Sequence, residues 1–291
     1  MRIFIVMLPS FTDAMRLNQY MKRLRVLSKA HRRLVCMYCG TKTAALGSLC
    51  MCANCESMTR YDNTSLSRKD PTLASSLDVI DEAMAEGKYD DAIAEYEKLY
   101  QNREDPSFLY AEALAYIRYS NSENARISYD KPGFMDDNAA VAERALNLAS
   151  KAKALLAKAI STARKDMAEG NDSPDNAYAL LLAQLKFGAL RGAKDSVDAM
   201  GKLSNTLIYN YSAMLFETRM GNYRQAMVHA DAIIRGDDVL VNAFFYAGLA
   251  MFKLGKKQDA KKLLKAVSEA SPNGSAPALI EEMRTAELIW A

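Results

Sequence analysis

All five cysteines of this 291-residue chain fall within one short window, where their spacing is typical of metal binding. Two Cys-x-x-Cys pairs, Cys36 with Cys39 and Cys52 with Cys55, lie a dozen residues apart, and Cys50 is a fifth thiol. Thiolates three residues apart on a tight turn suit a tetrahedral Zn²⁺ ion, and a second pair completes its shell of four. The window predicts a structural zinc site, in which Cys50 is an alternate ligand. Iron is the alternative metal because four thiolates accept either ion.

A redox function is the other chemistry open to these thiols. A lone Cys-x-x-Cys beside a βαβ pattern is typical of a redox dithiol, whereas two pairs in one stretch favour metal. Residues 34–61 resemble the zinc-ribbon family, with Cys36-x-x-Cys39-Gly40 as the first knuckle and Cys52-x-x-Cys55 as the second. The resemblance implies a small structural module. A ribbon that senses oxidation by releasing its metal stays open as an alternative.

Composition sets the class of protein. Half of the residues are apolar, and the length exceeds that of one typical domain, so a large core or a long helical array can be buried. Cysteines confined to one cluster favour a reducing compartment, and we expect a cytoplasmic protein. The apolar run near Met1 has six residues, too few for a signal sequence or a bilayer span, so no transmembrane segment is predicted.

The N-terminal part of the chain is strongly basic. Residues 1–60 contain ten Lys and Arg against two acids. Apolar residues recur at helical spacing from Thr12 to Leu34, which predicts a basic amphipathic helix within a leader of residues 1–33. Such a helix could lie on anionic lipid, track a nucleic acid, dock its apolar stripe on a neighbouring domain, or remain a solvated leader. The cations of this predicted basic patch are Lys22, Arg23, Arg25, Lys29, Arg32 and Arg33.

The remainder of the chain divides into a linker and a helical region. Residues 62–72 are polar and suit a linker, whereas residues 73–291 are rich in alanine and show helical periodicity throughout. Residues 121–137 break this pattern and predict a long insertion, either a binding element or a cover over an apolar edge. A final helix at 278–290 is expected to cap the array.

The helical region contains an internal repeat. Gly255-Lys-Lys-Gln-Asp-Ala260 aligns with Gly221-Asn-Tyr-Arg-Gln-Ala226 at a separation of 34 residues. Further copies span residues 73–106, with Gly87 at the turn, and residues 174–206, with Gly188 at the turn. The pattern resembles the tetratricopeptide repeat (TPR) family, in which small residues lie where two antiparallel helices cross. The predicted fold is an all-α, TPR-like helical-hairpin solenoid, preceded by a small zinc ribbon and the basic amphipathic helix.

The TPR resemblance implies a protein-protein interaction scaffold that binds a peptide or helix of a partner in a groove lined by the first helix of each pair. The alternative for these side chains is packing against neighbouring helices. The predicted groove residues of the third pair are Tyr178, Leu182 and Lys186, and those of the last two pairs are Tyr211, Leu215, Arg219, Phe245, Leu249, Phe252 and Lys253.

Catalysis has little support in the sequence. The chain has two histidines, His31 and His229, and contains neither a Walker loop nor a G-x-G-x-x-G motif. We therefore expect a non-enzymatic adaptor with a structural zinc ion. The alternative is a factor that binds nucleic acid or the ribosome through its basic helix and ribbon.

Overall fold

Helices make up most of the structure, which is a computed structural model. It describes residues 15–24, 34–35, 42–43, 71–102, 105–127, 134–170, 174–202, 206–236, 240–270 and 276–289. Residues 15–24 are helical (α1), and β1 (Leu34–Val35) and β2 (Lys42–Thr43) are strands of two residues each. The other helices are α2 (Pro71–Ala85), α3 (Tyr89–Asn102), α4 (Pro106–Ala125), α5 (Phe134–Ala168), α6 (Pro174–Phe187), α7 (Leu190–Met200), α8 (Thr206–Arg219), α9 (Tyr223–Arg235), α10 (Val241–Lys253), α11 (Lys257–Ala270) and α12 (Ala276–Ile289). The predicted all-α class is confirmed.

The chain divides into two compact units, in each of which helices that are neighbours in sequence pack together. In the unit formed by residues 34–39 and 45–212, each helix from α2 to α7 contacts the next. In the unit formed by residues 1–33, 40–44 and 213–291, α9 packs on α10, α10 on α11 and α11 on α12. Packing between successive helices is the organisation of helical-repeat proteins.

One type of turn joins four of the helix pairs. Its glycine has φ between +73° and +86°, a region that L side chains disfavour, and the next N–H bonds the carbonyl five residues back, as in a Schellman motif. These bonds are Lys88 to Ala83 and Ala189 to Gln184 at 2.8 Å, and Asn222 to Glu217 and Lys256 to Met251 at 2.9 Å. The alanine five residues after each turn glycine is buried: Ala92, Ala193, Ala226 and Ala260. The glycine and alanine register of the sequence is thus a structural repeat.

Close helix crossing is most evident in the pair α10–α11. A Cβ atom added to Gly248 would lie 2.8 Å from both Cγ and Cδ2 of Leu264, closer than real Cβ atoms come to other carbons. Leu264 is itself fully buried. Gly248 therefore lets α11 pack against the backbone of α10, as the small-residue pattern predicts.

The predicted insertion at 121–137 is wrong at both of its ends. Helix α4 continues to Ala125 and α5 begins at Phe134, and residues 128–133 lie outside the described part of the chain. The extra turns of α4 are held by the Ser120 hydroxyl, which donates to the Ala145 carbonyl at 2.8 Å, and by an ion pair of 3.0 Å between Glu123 and Arg126. The polar residues that suggest a loop in the sequence instead make contacts that stabilise the helix.

The predicted C-terminal helix is present with slightly different bounds. Helix α12 spans Ala276–Ile289 and buries Leu279 and Met283, consistent with a helix that covers the last pair. The first helix of the array begins at Pro71, two residues before the expected start of the helical region. No helix in the described ranges is long and apolar enough to cross a membrane.

Candidate partner-binding surface

The N-terminal amphipathic helix is docked on the C-terminal helices of its own unit. Leu17, Tyr20 and Leu24, spaced three and four residues apart, are buried, and Tyr20 is only 1% exposed. The Tyr20 hydroxyl donates to Oδ1 of Asp231 on α9 at 3.0 Å, and its ring meets Phe244 of α10 edge-on, with the centroids 6.1 Å apart. Of the arrangements considered for this helix from the sequence, residues 15–24 adopt the docked one, in which the apolar stripe packs on neighbouring helices.

Electrostatics strengthen this contact. Burial, and then the negative charge of Asp231, raise the pKa of the Tyr20 hydroxyl far above its usual range, so it remains a donor under all ordinary conditions. Asp231 also pairs with Arg235 at 2.9 Å. The Asp231 carboxylate thus accepts a charge-assisted hydrogen bond from Tyr20 of α1, while its ion pair with Arg235 lies within α9.

Arg23, from the predicted basic patch, caps a helix end. Its Nη1 donates to the Gly236 carbonyl at 2.9 Å and its Nη2 to the Arg235 carbonyl at 3.1 Å. These carbonyls close the C-terminal end of α9, where a cation also opposes the negative end of the helix dipole. The structure therefore gives Arg23 a capping role at the C-terminal end of α9.

The rest of the basic patch is only partly described. Lys22 is exposed on α1 and lines a cleft of about 470 Å³ between α1 and α9, together with Arg23 and Arg235. The remaining predicted cations, Arg25, Lys29, Arg32 and Arg33, lie outside the described residues.

An accessible apolar surface runs along α10. Phe245, Leu249 and Phe252 are each partly exposed at positions i, i+4 and i+7, so they share one face of the helix. Lys253 is exposed beside them, with its ammonium nitrogen 5.4 Å from the centroid of the Phe252 ring, within cation-π range. We call these four residues the α10 face; each belongs to the groove predicted from the sequence.

The groove prediction is wrong for Tyr211 and Leu215. They are 1% and 6% exposed, and Tyr178 and Leu182 of α6 are buried as well. The Tyr178 and Tyr211 rings, 33 residues apart in sequence, lie 6.2 Å apart between centroids, so equivalent tyrosines pack between first helices. These side chains contribute to the core. Arg219 and Lys186, which lie in the last turns of their helices, are exposed.

A second polar site, absent from the sequence-based predictions, lies among α3, α4 and α5. The Tyr119 hydroxyl donates to Oδ2 of Asp90 at 3.2 Å and accepts from Nη2 of Arg144 at 2.6 Å. The ring of Tyr89 stacks on that of Tyr119, with centroids 5.1 Å apart. Tyr89 follows the turn glycine of its pair, which is the one signal in the sequence that marks this position. The network ties three helices together in one unit.

The predicted metal ligands cannot be placed in the structure. Cys36, Cys39, Cys50, Cys52 and Cys55 all lie outside the described residues. Among the residues that are described, no group of three or more His, Cys, Asp or Glu side chains could hold a metal ion. The zinc site therefore stays a prediction from cysteine spacing.

Burial shifts the pKa values of a glutamate and a histidine in the helical core. Burial raises the pKa of the Glu112 carboxyl to about 7, with a further contribution from Glu97, while Lys158 lowers it. Burial lowers the pKa of the half-buried His229, against an opposing effect of Glu217. Glu112 is on α4 and His229 on α9, in different units. Each perturbation has a packing explanation in its own helix pair.

No protein-family model matches the chain, and no curated protein shows detectable similarity to it. The fold and its accessible surface define an all-α protein of packed helical hairpins with an apolar face on α10.

We predict that Tyr20 anchors α1. Tyr20→Ala should lower the free energy of unfolding by about 3 kcal/mol, because it removes a buried aromatic ring. Tyr20→Phe should cost about 1 kcal/mol, since it removes only the hydrogen bond to Asp231. Asn18→Ala, at an exposed position of the same helix, is the matched control and should change little. Urea unfolding of the full chain measures all three, and equal stability of Tyr20→Ala and wild type would contradict the docking.

We predict that Glu112 makes stability depend on pH. Because its folded pKa of about 7 exceeds the ordinary 4.5, the group stabilises the fold fully below pH 4.5 and loses this contribution as pH rises towards 7. Glu112→Gln stays neutral, so its free energy of unfolding relative to wild type should rise by roughly 1–3 kcal/mol between pH 4.5 and pH 8. Unfolding curves at both values test this. A difference that does not change with pH would show that the carboxyl is ionised in the fold.

Proposed function

We propose that this protein is a non-enzymatic scaffold of the TPR type, whose α10 face binds an amphipathic segment of a partner protein. The observation that carries the proposal is the partly exposed row of Phe245, Leu249 and Phe252 on a helix whose other face is buried. Apolar side chains at helical spacing beside a cation suit a partner helix with an apolar stripe. Aromatic anchors of this kind dominate the binding energy of many interfaces.

Docking of α1 supports this choice of partner. The same unit already holds an amphipathic helix through Leu17, Tyr20 and Leu24, with Arg23 bonded to main-chain carbonyls at one end. Helix-on-helix packing is thus how this array covers an apolar stripe within its own chain. A partner helix bound on the α10 face would use the same contacts between molecules.

Charge further defines the partner. Arg219 and Lys253 occupy equivalent positions, each two residues before a turn glycine, and both are exposed. A segment with an acidic residue beside its apolar stripe would gain a charge-assisted contact at this edge. We therefore infer an amphipathic, acidic segment as the partner.

We predict that alanine substitution on the α10 face weakens binding of helical peptides. Peptides selected from a display library on the full chain should bind Phe245→Ala and Phe252→Ala at least about tenfold more weakly, as expected when an interface anchor is lost. The matched control is Leu146→Ala, which removes an apolar side chain that is 71% exposed on α5. Calorimetric titration gives the affinities. Selected peptides that bind both α10 variants as tightly as wild type would exclude this face.

We also propose that the cysteine window holds one Zn²⁺ ion in a structural module. The donor set supports it: four thiolates in two Cys-x-x-Cys pairs close a tetrahedral shell and leave no open position for catalysis. Such a module stabilises a short segment that has little apolar core. It is also available as a second docking element.

We predict one zinc per chain, lost on mutation of a paired cysteine. Elemental analysis of purified protein should find about one equivalent of zinc in wild type and in Cys50→Ser, and much less in Cys39→Ser, because three thiolates leave the shell open. Retention of zinc by Cys39→Ser but not Cys50→Ser would assign Cys50 as the ligand. Iron in place of zinc would contradict the metal assignment.

A further inference from the structure

The first helical hairpin of the array is strongly acidic. Residues 71–102, which form α2 and α3, contain eight Asp and Glu against two Lys. Most of these acids are at the surface, and three exposed ones, Glu82, Glu86 and Asp91, flank the turn between the two helices. We call these three residues the acidic triple. Lys88 in the turn pairs with Glu86 at 2.6 Å, but the hairpin keeps a net charge of −6, which an oppositely charged surface stabilises.

The last hairpin carries the opposite charge. Residues 241–270, which form α10 and α11, contain six Lys against two acids. Lys257, Lys261 and Lys265 are exposed at i, i+4 and i+8, so they form one stripe along α11. We call these three residues the lysine triple. Helix α11 buries Leu263, Leu264 and Val267 on another side, which leaves this stripe at the surface.

The helices between these two hairpins carry balanced charge. Residues 105–236, which include α4 to α9, contain sixteen Lys and Arg against fifteen Asp and Glu. A random scatter of solvating charges would not leave the intervening helices balanced and the first and last hairpins of opposite sign. The chain therefore presents two complementary charged surfaces of its own.

We propose that the acidic hairpin of one copy of this chain binds the basic hairpin of another copy. Single exposed ion pairs contribute little, but several complementary charges on two rigid hairpins steer association and fix its orientation. The net charge of +3 is small, so two copies repel each other only weakly. Because the contact joins two different surfaces, it is heterologous and links successive copies of the chain into a ring or an open array.

Charge reversal tests the contact. One variant carries Lys→Glu at all three positions of the lysine triple, and the other carries Lys at all three positions of the acidic triple. Alone, the first variant has two acidic hairpins and the second has a neutral hairpin beside a basic one, so each should associate at least about tenfold more weakly than wild type. An equimolar mixture should regain association, because it contains one unchanged acidic hairpin and one unchanged basic hairpin. The matched control for the variant of the lysine triple has the same change in net charge at exposed positions of α5. It carries Lys151→Glu, Lys153→Glu and Lys165→Glu. It should associate as wild type does.

Sedimentation velocity over a range of protein concentrations measures association. For wild type, the mass-average sedimentation coefficient should rise with concentration at about 20 mM salt and stay constant at about 500 mM, where screening is several-fold shorter in range. Wild type that stays monomeric at low salt, or a mixture of variants that fails to associate while both retain wild-type circular dichroism, would overturn the proposal.

The other class of molecule that binds a lysine stripe is a nucleic acid. Titration with a labelled single strand of roughly 20 nucleotides tests for this binding. Binding that the lysine-triple variant loses, by a protein that does not self-associate, would assign the stripe to a polyanion and overturn self-association.

Discussion

Close approach of the two helices in the hairpins that share the glycine turn is the constraint on which the rest of the structure depends. Two residues make it possible. A glycine with positive φ turns the chain without strain, and an alanine five residues later lets the second helix return against the first. In α10–α11 the approach is so close that Gly248 has no room for a Cβ atom against Leu264. Without these small residues the larger apolar side chains would lose their packing partners.

This constraint also decides which surface remains accessible. Where first helices pack closely, as Tyr178 and Tyr211 show, the aromatic positions fill the space between helices. The equivalent aromatic of α10, Phe245, is only partly covered, and the apolar row continues to Phe252. The same repeat position thus contributes to the core in one hairpin and to a surface in the next. The accessibility of the α10 face follows from its place in the array more than from its residue types.

The sequence predicts those features that depend on local chemistry. The glycine and alanine register, the turns and the C-terminal helix are all visible in residue spacing, because backbone conformation and helix periodicity are local properties. The apolar stripe of α1 is visible for the same reason. The residue that bonds this stripe, Asp231, cannot be found in the same way. Nothing in the sequence around Asp231 distinguishes it from a solvated acid, and only the docked position of Tyr20 reveals the role of Asp231.

The errors have a shared physical cause. Residues 121–125 look like a loop because their helix propensity is low, yet contacts of Ser120 and Glu123 with their surroundings continue α4 through them. Tyr211 and Leu215 look accessible because the period of a single helix does not show which neighbour covers it. Both depend on tertiary packing, as does the buried carboxyl of Glu112, which a pattern of helical surface charges does not predict.

A double-mutant cycle between Gly248 and Leu264 tests the central claim most directly. Alanine normally stabilises a helix interior relative to glycine by about 0.5–1 kcal/mol, but the close crossing predicts that Gly248→Ala destabilises the protein by about 1–3 kcal/mol through overpacking. In a Leu264→Ala background, where the space is vacant, the same substitution should become neutral or stabilising. Urea unfolding of the four proteins supplies the cycle. Stabilisation by Gly248→Ala in both backgrounds would contradict the account, because the two helices would then not need a residue without a side chain where they cross.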